Sequence, residues 1–127
     1  MNKNFILSIA CLLLFSCFED VDNTMQKEID SMNAITPIQV DEITFLQSAY
    51  MSGDNITFKY SVFTEGDDDF FKGEDFHSLQ RAALVNLYCF SEDTQLFREY
   101  NKILTYSYYS DFGRFLTDIT VFPTDCN

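Results

Sequence analysis

The sequence has 127 residues, of which 20 are acidic, 8 are basic and one is histidine, and its formal net charge is −12 at pH 7. Hydrophobic residues make up 46% of the chain and aromatic residues 17%, which is too apolar for a disordered polypeptide. Four glycines and two prolines exclude a collagen-like or linker-like chain. The acidic charge argues against nucleic acid and anionic lipid headgroups as partners, so we expect any charged partner to be basic.

The chain begins with a segment that is typical of secretory signal peptides. Lys3 supplies a positive charge, and Phe5–Phe15 is an apolar run interrupted only by Ser8. A helix of about 11 residues spans roughly 16 Å, whereas the hydrocarbon core of a bilayer is about 30 Å thick. Residues 1–16 are therefore predicted to be a signal peptide and not a transmembrane anchor.

The end of this apolar run resembles the lipobox of bacterial lipoproteins. Leu14, Ser16 and Cys17 match that motif, whereas Phe15 stands where a small or β-branched residue is usual. The resemblance implies that Cys17 is acylated on its sulfur and becomes the first residue of the mature protein. The alternative is an ordinary secretory signal cleaved near Ser16, which would leave Cys17 as a free thiol.

This processing decides how many cysteines remain. Cys11 leaves with the signal peptide and Cys17 carries the lipid, so only Cys89 and Cys126 are left. Two cysteines in an exported, oxidising compartment are predicted to form a disulfide. Two buried free thiols are the alternative, and they would need a reducing compartment. Two cysteines and a single histidine cannot complete a zinc site without carboxylates, so we predict neither a metal nor a cofactor.

The residues after Cys17 predict the membrane to which the lipid-bearing protein is sorted. In enteric bacteria an Asp directly after the lipid-bearing Cys resembles the signal for retention at the inner membrane, and this chain has Phe18 there. The resemblance implies sorting to the bacterial outer membrane, with the domain facing the periplasm. Glu19 and Asp20 begin an acidic cluster that resembles the surface-export signal of Bacteroidetes lipoproteins, so exposure on the cell surface is the alternative. We interpret residues 17–24 as a short acidic tether.

Residues 25–127 are predicted to form a single α+β domain. Met25, Ile29 and Met32 recur at helical spacing behind good N-cap residues, and Pro37 follows the end of the pattern. The predicted strands cover residues 43–51, 56–63, 104–109 and 115–122, and the further predicted helices cover residues 76–89 and a short segment from Ser91. This order, α-β-β-α-α-β-β, favours an antiparallel four-stranded sheet with helices packed on one face.

Two apolar patterns in the second half predict core positions. The second major helix is expected to bury the residues that recur at helical spacing, Phe76, Leu79, Ala83 and Leu87. In the following strand, Tyr106, Tyr108 and Tyr109 could form an aromatic platform for a base or a sugar. On a sheet, Tyr106 and Tyr108 are expected to fill the helix-facing core instead, and the acidic charge opposes nucleic acid.

The candidate chemical groups do not form a catalytic pattern. His77 lies beside Asp75 and Ser78, which permits a dyad, but no nucleophile elbow or glycine-rich loop accompanies them. Glu65 and the run Asp67–Asp69 could collect Ca²⁺, yet they lack the ligand spacing of an EF-hand. An exposed or partly packed histidine at a helix start and a solvated acidic loop are favoured, so the sequence predicts a protein that is not an enzyme.

The segment from Thr64 to Asp75 is predicted to be an acidic loop that contains two large apolar side chains, Phe70 and Phe71. These rings either tuck under the loop or remain available to a partner. If they are exposed, they form an apolar surface rimmed by charge that suits a basic, amphipathic peptide. The partner-binding residues predicted on this basis are Phe70, Phe71, Asp67, Asp68 and Asp69.

The second half of the chain resembles the small pilotin lipoproteins of type II secretion systems, in their α/β form with one disulfide. The matching segments are Leu87-Tyr88-Cys89, Leu96-Phe97-Arg98, Leu104-Thr105-Tyr106-Ser107-Tyr108, a turn ending at Gly113, and Ile119 leading to Cys126. The resemblance implies a chaperone that is held at the outer membrane by its N-terminal lipid and binds the C-terminal segment of a secretin. An exclusion lipoprotein encoded by a plasmid or phage, or an inhibitor of a basic periplasmic protein, is the alternative.

Overall fold

The computed structural model describes residues 22–127. The predicted signal peptide, the lipidation site at Cys17 and most of the predicted tether lie outside these residues. Residues 22–24, at the end of the predicted tether, already belong to the first described helix. None of the helices in the described part of the chain combines the length and apolar character that crossing a membrane requires.

The described chain forms one mixed sheet and four α-helices. In chain order the elements are α1 (22–34), β1 (Ile38–Gln39), β2 (Thr44–Ser52), β3 (Asn55–Val62), α2 (Asp68–Lys72), α3 (Glu74–Phe90), α4 (Gln95–Glu99), β4 (Ile103–Ser110) and β5 (Phe115–Val121). Short 3-10 helices precede α4 and follow β5, at Glu92–Thr94 and Pro123–Cys126.

The sheet has five strands in the order β1-β2-β3-β4-β5, and every neighbouring pair is antiparallel except β3 and β4, which are parallel. The prediction of an antiparallel four-stranded sheet is therefore wrong in strand number and in the central pairing. Strand β1 has only two residues, too few to show an alternating pattern. The central pair is parallel because α2, α3 and α4 return the chain to the end of the sheet where β3 begins.

The segment predicted as an acidic loop is partly helical. Helix α2 occupies Asp68–Lys72, and α3 begins at Glu74, so the predicted start of α3 lay two residues too late. Gly73 separates the two helices with extended backbone. Acidic residues fill the first turn of both helices, where negative charge is favourable near the N-terminal end of the helix dipole.

Helix α3 buries a different face from the one predicted. Leu84 and Tyr88 face the sheet, whereas Leu79, Ala83 and Leu87 are exposed. Tyr88 is fully buried, and its hydroxyl donates a hydrogen bond of 2.8 Å to the backbone carbonyl of Lys102. A tyrosine can thus fill an apolar core while its polar end keeps a partner.

The core lies between the helices and one face of the sheet. The opposite face carries mainly polar side chains such as Thr57, Lys59 and Asp118, together with the aromatic rings of Tyr109 and Phe115. Fully buried apolar residues of the core are Met25, Ile29, Ile56, Val62, Tyr88, Leu104, Ile119 and Val121.

A disulfide joins Cys89 to Cys126, the pair predicted from the cysteine count, with their Cα atoms 5.4 Å apart. It connects the last turn of α3 to the 3-10 helix that follows β5. Arg81 and Asp125 form an ion pair of 2.9 Å beside it. The C-terminal segment is therefore fixed along one side of α3.

Candidate functional site

A row of stacked aromatic rings crosses the two central strands. Because β3 and β4 pair in parallel register, Phe58 lies opposite Tyr106 and Tyr60 lies opposite Tyr108. Ring centroids along the row are 5.4 Å apart from Phe58 to Tyr106, 6.1 Å from Tyr106 to Tyr60 and 5.3 Å from Tyr60 to Tyr108. The row stabilises the parallel pairing and lines the helix-facing side of the sheet with phenol groups.

These phenol groups are neutral hydrogen-bonding groups. Gln80 donates a hydrogen bond of 2.9 Å to the Tyr108 hydroxyl. Tyr60 is half-buried, and Tyr106 is only 3% exposed. Burial raises the pKa of Tyr108 from 10.0 to about 12 and also raises the pKa values of Tyr60 and Tyr106. All three can donate hydrogen bonds at neutral pH without carrying charge.

An apolar stripe runs along the exposed side of α3. It comprises Phe76, Leu79, Ala83 and Leu87, and we call it the α3 stripe. Leu79 is 72% exposed and Leu87 is 43% exposed, Ala83 is also exposed, and Phe76 is half-buried. Spacings of three and four residues place these side chains in one line, roughly 16 Å long from Phe76 to Leu87.

The α3 stripe lies next to the tyrosine row and away from the C-terminal segment. Phe76 packs edge-on against Tyr108 with the ring centroids 5.8 Å apart. Arg81 and Cys89 bind the C-terminal segment on another side of the helix. Phe70, which is 52% exposed, extends the apolar surface beyond α3, since its ring centroid is 6.1 Å from that of Phe76. The stripe is thus continuous with a residue predicted to bind a partner.

The surroundings of the N-terminal end of the stripe are acidic. Four exposed carboxylates lie in or next to the first turns of α2 and α3, and the exposed cations beside them are Lys72 and Arg114, of which Arg114 pairs with Asp68. These carboxylates belong to Asp67, Asp69, Glu74 and Asp75. A partner that covers the stripe would bring its flanks close to this negative charge, so basic flanks fit best.

Asp68 has a structural role that distinguishes it from the neighbouring aspartates. Its carboxylate accepts a hydrogen bond of 2.6 Å from the Thr64 hydroxyl and forms an ion pair of 2.8 Å with Arg114. The Thr64 hydrogen bond and the Arg114 guanidinium hold the pKa of Asp68 below its usual range. Asp68 therefore joins α2 to the turn between β4 and β5. Of the three consecutive aspartates, Asp67 and Asp69 are the ones whose carboxylates are exposed next to Phe70.

The other chemical candidates are dispersed. His77 is half-buried in α3, and its ring forms no hydrogen bond with any residue of the described chain. Tyr109 lies on the opposite face of the sheet, where the Lys59 ammonium sits 4.6 Å from its ring centroid. In the part of the chain that the structure describes, no three His, Cys, Asp or Glu side chains gather around a common point that could hold a metal ion.

The two adjacent phenylalanines of α2 are expected to differ in their effect on stability. Phe71 is half-buried and packs against the core, whereas Phe70 is mostly exposed. Phe71→Ala should lower the free energy of unfolding by about 1–2 kcal/mol, and Phe70→Ala by less than about 0.5 kcal/mol. Chemical denaturation of both variants measures the difference. Equal losses would contradict the burial of only one ring.

Comparison with solved structures places this geometry among known folds. No protein-family model and no curated protein sequence matches the chain. A protein from Pseudomonas aeruginosa described as secreted superposes with a TM-score of 0.70 at 16% identity, over 85% of this chain and 94% of that chain. The pilotin EpsS of the Vibrio vulnificus type 2 secretion system superposes with a TM-score of 0.67 at 12% identity, over 86% and 94% of the two chains.

A second pilotin has the same fold. AspS of the type II secretion system of Vibrio cholerae superposes with a TM-score of 0.63 at 12% identity, over 85% of this chain and 94% of that chain. The chain therefore has an α+β fold that two type II secretion pilotins share. The resemblance to pilotins in the second half of the sequence is confirmed as a likeness of fold.

Proposed function

We propose that this protein is a pilotin-like lipoprotein that binds a peptide segment of a partner and catalyses no reaction. The secretin subunit of a secretion system is the proposed partner, through its C-terminal segment. The observation that carries the proposal is the exposed α3 stripe on a fold shared with two pilotins. Monomeric soluble proteins rarely expose a long, continuous apolar row, so such a row on a folded surface indicates an interaction site.

The α3 stripe suits an amphipathic helical segment. Its length corresponds to about three helical turns, so a partner helix could contact it with apolar side chains at positions i, i+3 or i+4, and i+7. Asp67 and Asp69 offer negative charge at one end. Apolar contact supplies most of the affinity in this arrangement, and charge sets the orientation and the association rate.

The predicted lipid at Cys17 supplies location. A single acyl chain gives only marginal membrane binding, whereas a lipoprotein anchor with several chains holds a domain at the membrane. We propose that the anchor keeps the domain at the outer membrane, facing the periplasm, where an incoming secretin subunit would meet it. Display on the cell surface is the alternative location.

Titration of the folded domain with synthetic peptides from the C-terminal segment of the secretin encoded in the same genome tests this function. We expect saturable binding in the range of about 1 μM or tighter, and no binding of a scrambled peptide with the same charge. Absence of binding to a folded domain would contradict the proposal. Equal binding of both peptides, abolished by salt, would instead support the inhibitor of a basic protein, because charge alone would then explain the affinity.

A further inference from the structure

One end of the sheet lies beside the start of the described chain. The ammonium of Lys102, which immediately precedes β4, is 3.6 Å from the carboxylate of Asp22 in the first turn of α1. The same ammonium is 3.3 Å from the carboxylate of Asp54, which immediately precedes β3. We call this end of the molecule, where β3 and β4 begin and β5 finishes, the tether end.

Three exposed aromatic rings share the tether end. Phe122 directly follows β5, whose last residue pairs near the start of β4, and it is 46% exposed. Tyr100 lies two residues before Lys102 and is 42% exposed. Phe90 ends α3 and is 78% exposed, and the disulfide of its neighbour Cys89 places it beside the 3-10 helix that follows Phe122.

The length of the tether decides which end of the domain faces the membrane. Cys17 and Asp22 are five positions apart, and a fully extended chain of that length spans at most roughly 17 Å. Strand β4 has 8 residues and extends for roughly 26 Å away from the tether end. A lipid on Cys17 therefore brings the tether end closer to the bilayer than the opposite end of the sheet.

We propose that the tether end rests on the phospholipid surface to which the chain is anchored, with Phe90, Tyr100 and Phe122 at the level of the headgroups. This inference rests on the lipid anchor of the proposed function. Aromatic rings favour the interface between headgroups and hydrocarbon, and the anchor holds them at a high effective concentration beside it. In this orientation the α3 stripe rises away from the membrane, so it stays open to a partner.

The charge of the tether end selects the type of lipid. Exposed carboxylates lie at the tether end, beside Lys102 or within two residues of a ring in the sequence, and they would repel anionic headgroups. They belong to Asp22, Asp54, Glu92 and Glu99. The surface that fits is therefore zwitterionic, and contact should weaken when anionic lipid is added at low salt.

Tryptophan reporters can test this orientation, because the chain contains no native Trp. The chain from Cys17 onward is coupled through that thiol to a maleimide lipid in phosphatidylcholine vesicles, with Cys89 and Cys126 protected in their disulfide. Brominated lipids in the vesicles quench a Trp that reaches the interface. We expect Phe90→Trp and Phe122→Trp each to lose about half of their fluorescence, and less on vesicles with anionic lipid.

Two control positions make the result decisive. Phe112 is 76% exposed in the turn between β4 and β5, at the opposite end of the sheet, and Phe112→Trp should not be quenched. Leu79→Trp reports on the α3 stripe, and it should not be quenched either. Quenching at Phe112 or Leu79 equal to that at Phe90, or no quenching at Phe90 and Phe122, would overturn the orientation.

The anchor itself is tested separately in cells. Labelled fatty acid should be incorporated into the wild-type chain and not into Cys17→Ser. If the wild-type chain incorporates none, the lipid anchor of the proposed function is wrong and this inference falls with it, whatever the vesicles show. If the label is present and the rings are not quenched, the anchor stands and only the orientation is wrong.

Discussion

Replacing both Cys89 and Cys126 by Ala is expected to lower the free energy of unfolding by about 4 kcal/mol. The disulfide closes a loop with a sequence separation of 37, and a crosslink of that span removes a large conformational entropy from the unfolded chain. For a domain of this size the loss corresponds to a melting temperature lower by roughly 20 °C. Denaturant titration of the double variant against the oxidised wild-type domain measures the effect.

Two further observations separate the disulfide from simple loss of side chains. Reduction of the wild-type domain should reproduce most of the loss, because reduction removes the crosslink and leaves both sulfur atoms. The ion pair of Arg81 and Asp125 lies beside the disulfide, so Arg81→Gln serves as a local control and should cost less than about 1 kcal/mol. A double cysteine variant as stable as the wild type would show that the crosslink does not hold the C-terminal segment in place.

Introducing charge into the α3 stripe is expected to lower partner affinity by about 100-fold or more. Leu79→Asp combined with Leu87→Asp removes two exposed apolar contacts and places carboxylates where the apolar face of the partner would lie. Both side chains are exposed, so the folded domain should lose less than about 1 kcal/mol of stability. Calorimetric titration with the secretin peptide, together with thermal unfolding of the same samples, measures both quantities.

A matched variant distinguishes the stripe from any exposed apolar residue. Phe115→Asp changes a ring that is 50% exposed on the opposite face of the sheet, and it should leave the affinity within about threefold of the wild type. Equal losses from the two changes would mean that binding depends on overall charge.

Neutralising Asp67 and Asp69 should mainly slow association of the partner and flatten the salt dependence of the association rate, since both residues lie at the margin of the contact.

The elements with regular alternation could be predicted to within one or two residues. Residues 56–63 were expected as a strand and β3 covers Asn55–Val62, because alternating side chains on a half-buried sheet leave a clear pattern. The parallel pairing of β3 with β4 could not be predicted in the same way. Strands that follow each other in sequence favour hairpins, and only the packing of three intervening helices shows that the chain crosses over.

The face of α3 shows why the site was only partly predicted. The most hydrophobic row of this helix is exposed except at Phe76, and the face toward the sheet contains Tyr88 and Gln80, whose polar ends find partners. A rule that places the most apolar row in the core therefore chooses the wrong face. An apolar row that remains exposed favours a binding surface, and the exposure of this row is visible only in the structure.

The acidic segment from Thr64 to Asp75 shows how far individual binding residues can be predicted from sequence. Phe70 was predicted to contact a partner and is exposed next to the α3 stripe, and its role in binding stays a prediction. Asp68 was predicted in the same group, and its carboxylate pairs with Arg114 across 46 residues of sequence; its role in binding also stays a prediction. A run of like charges looks uniform in sequence, and only tertiary contacts show which member is used internally.

Site-specific crosslinking in living cells tests the central claim most directly. A photoreactive amino acid replaces Leu79 in the α3 stripe, or Lys59 on the opposite face of the sheet, in the full-length chain. We expect crosslinks from position 79 to the C-terminal segment of the secretin and none from position 59. Crosslinks to the secretin from position 59 without any from position 79 would contradict the assignment of the α3 stripe as the binding surface.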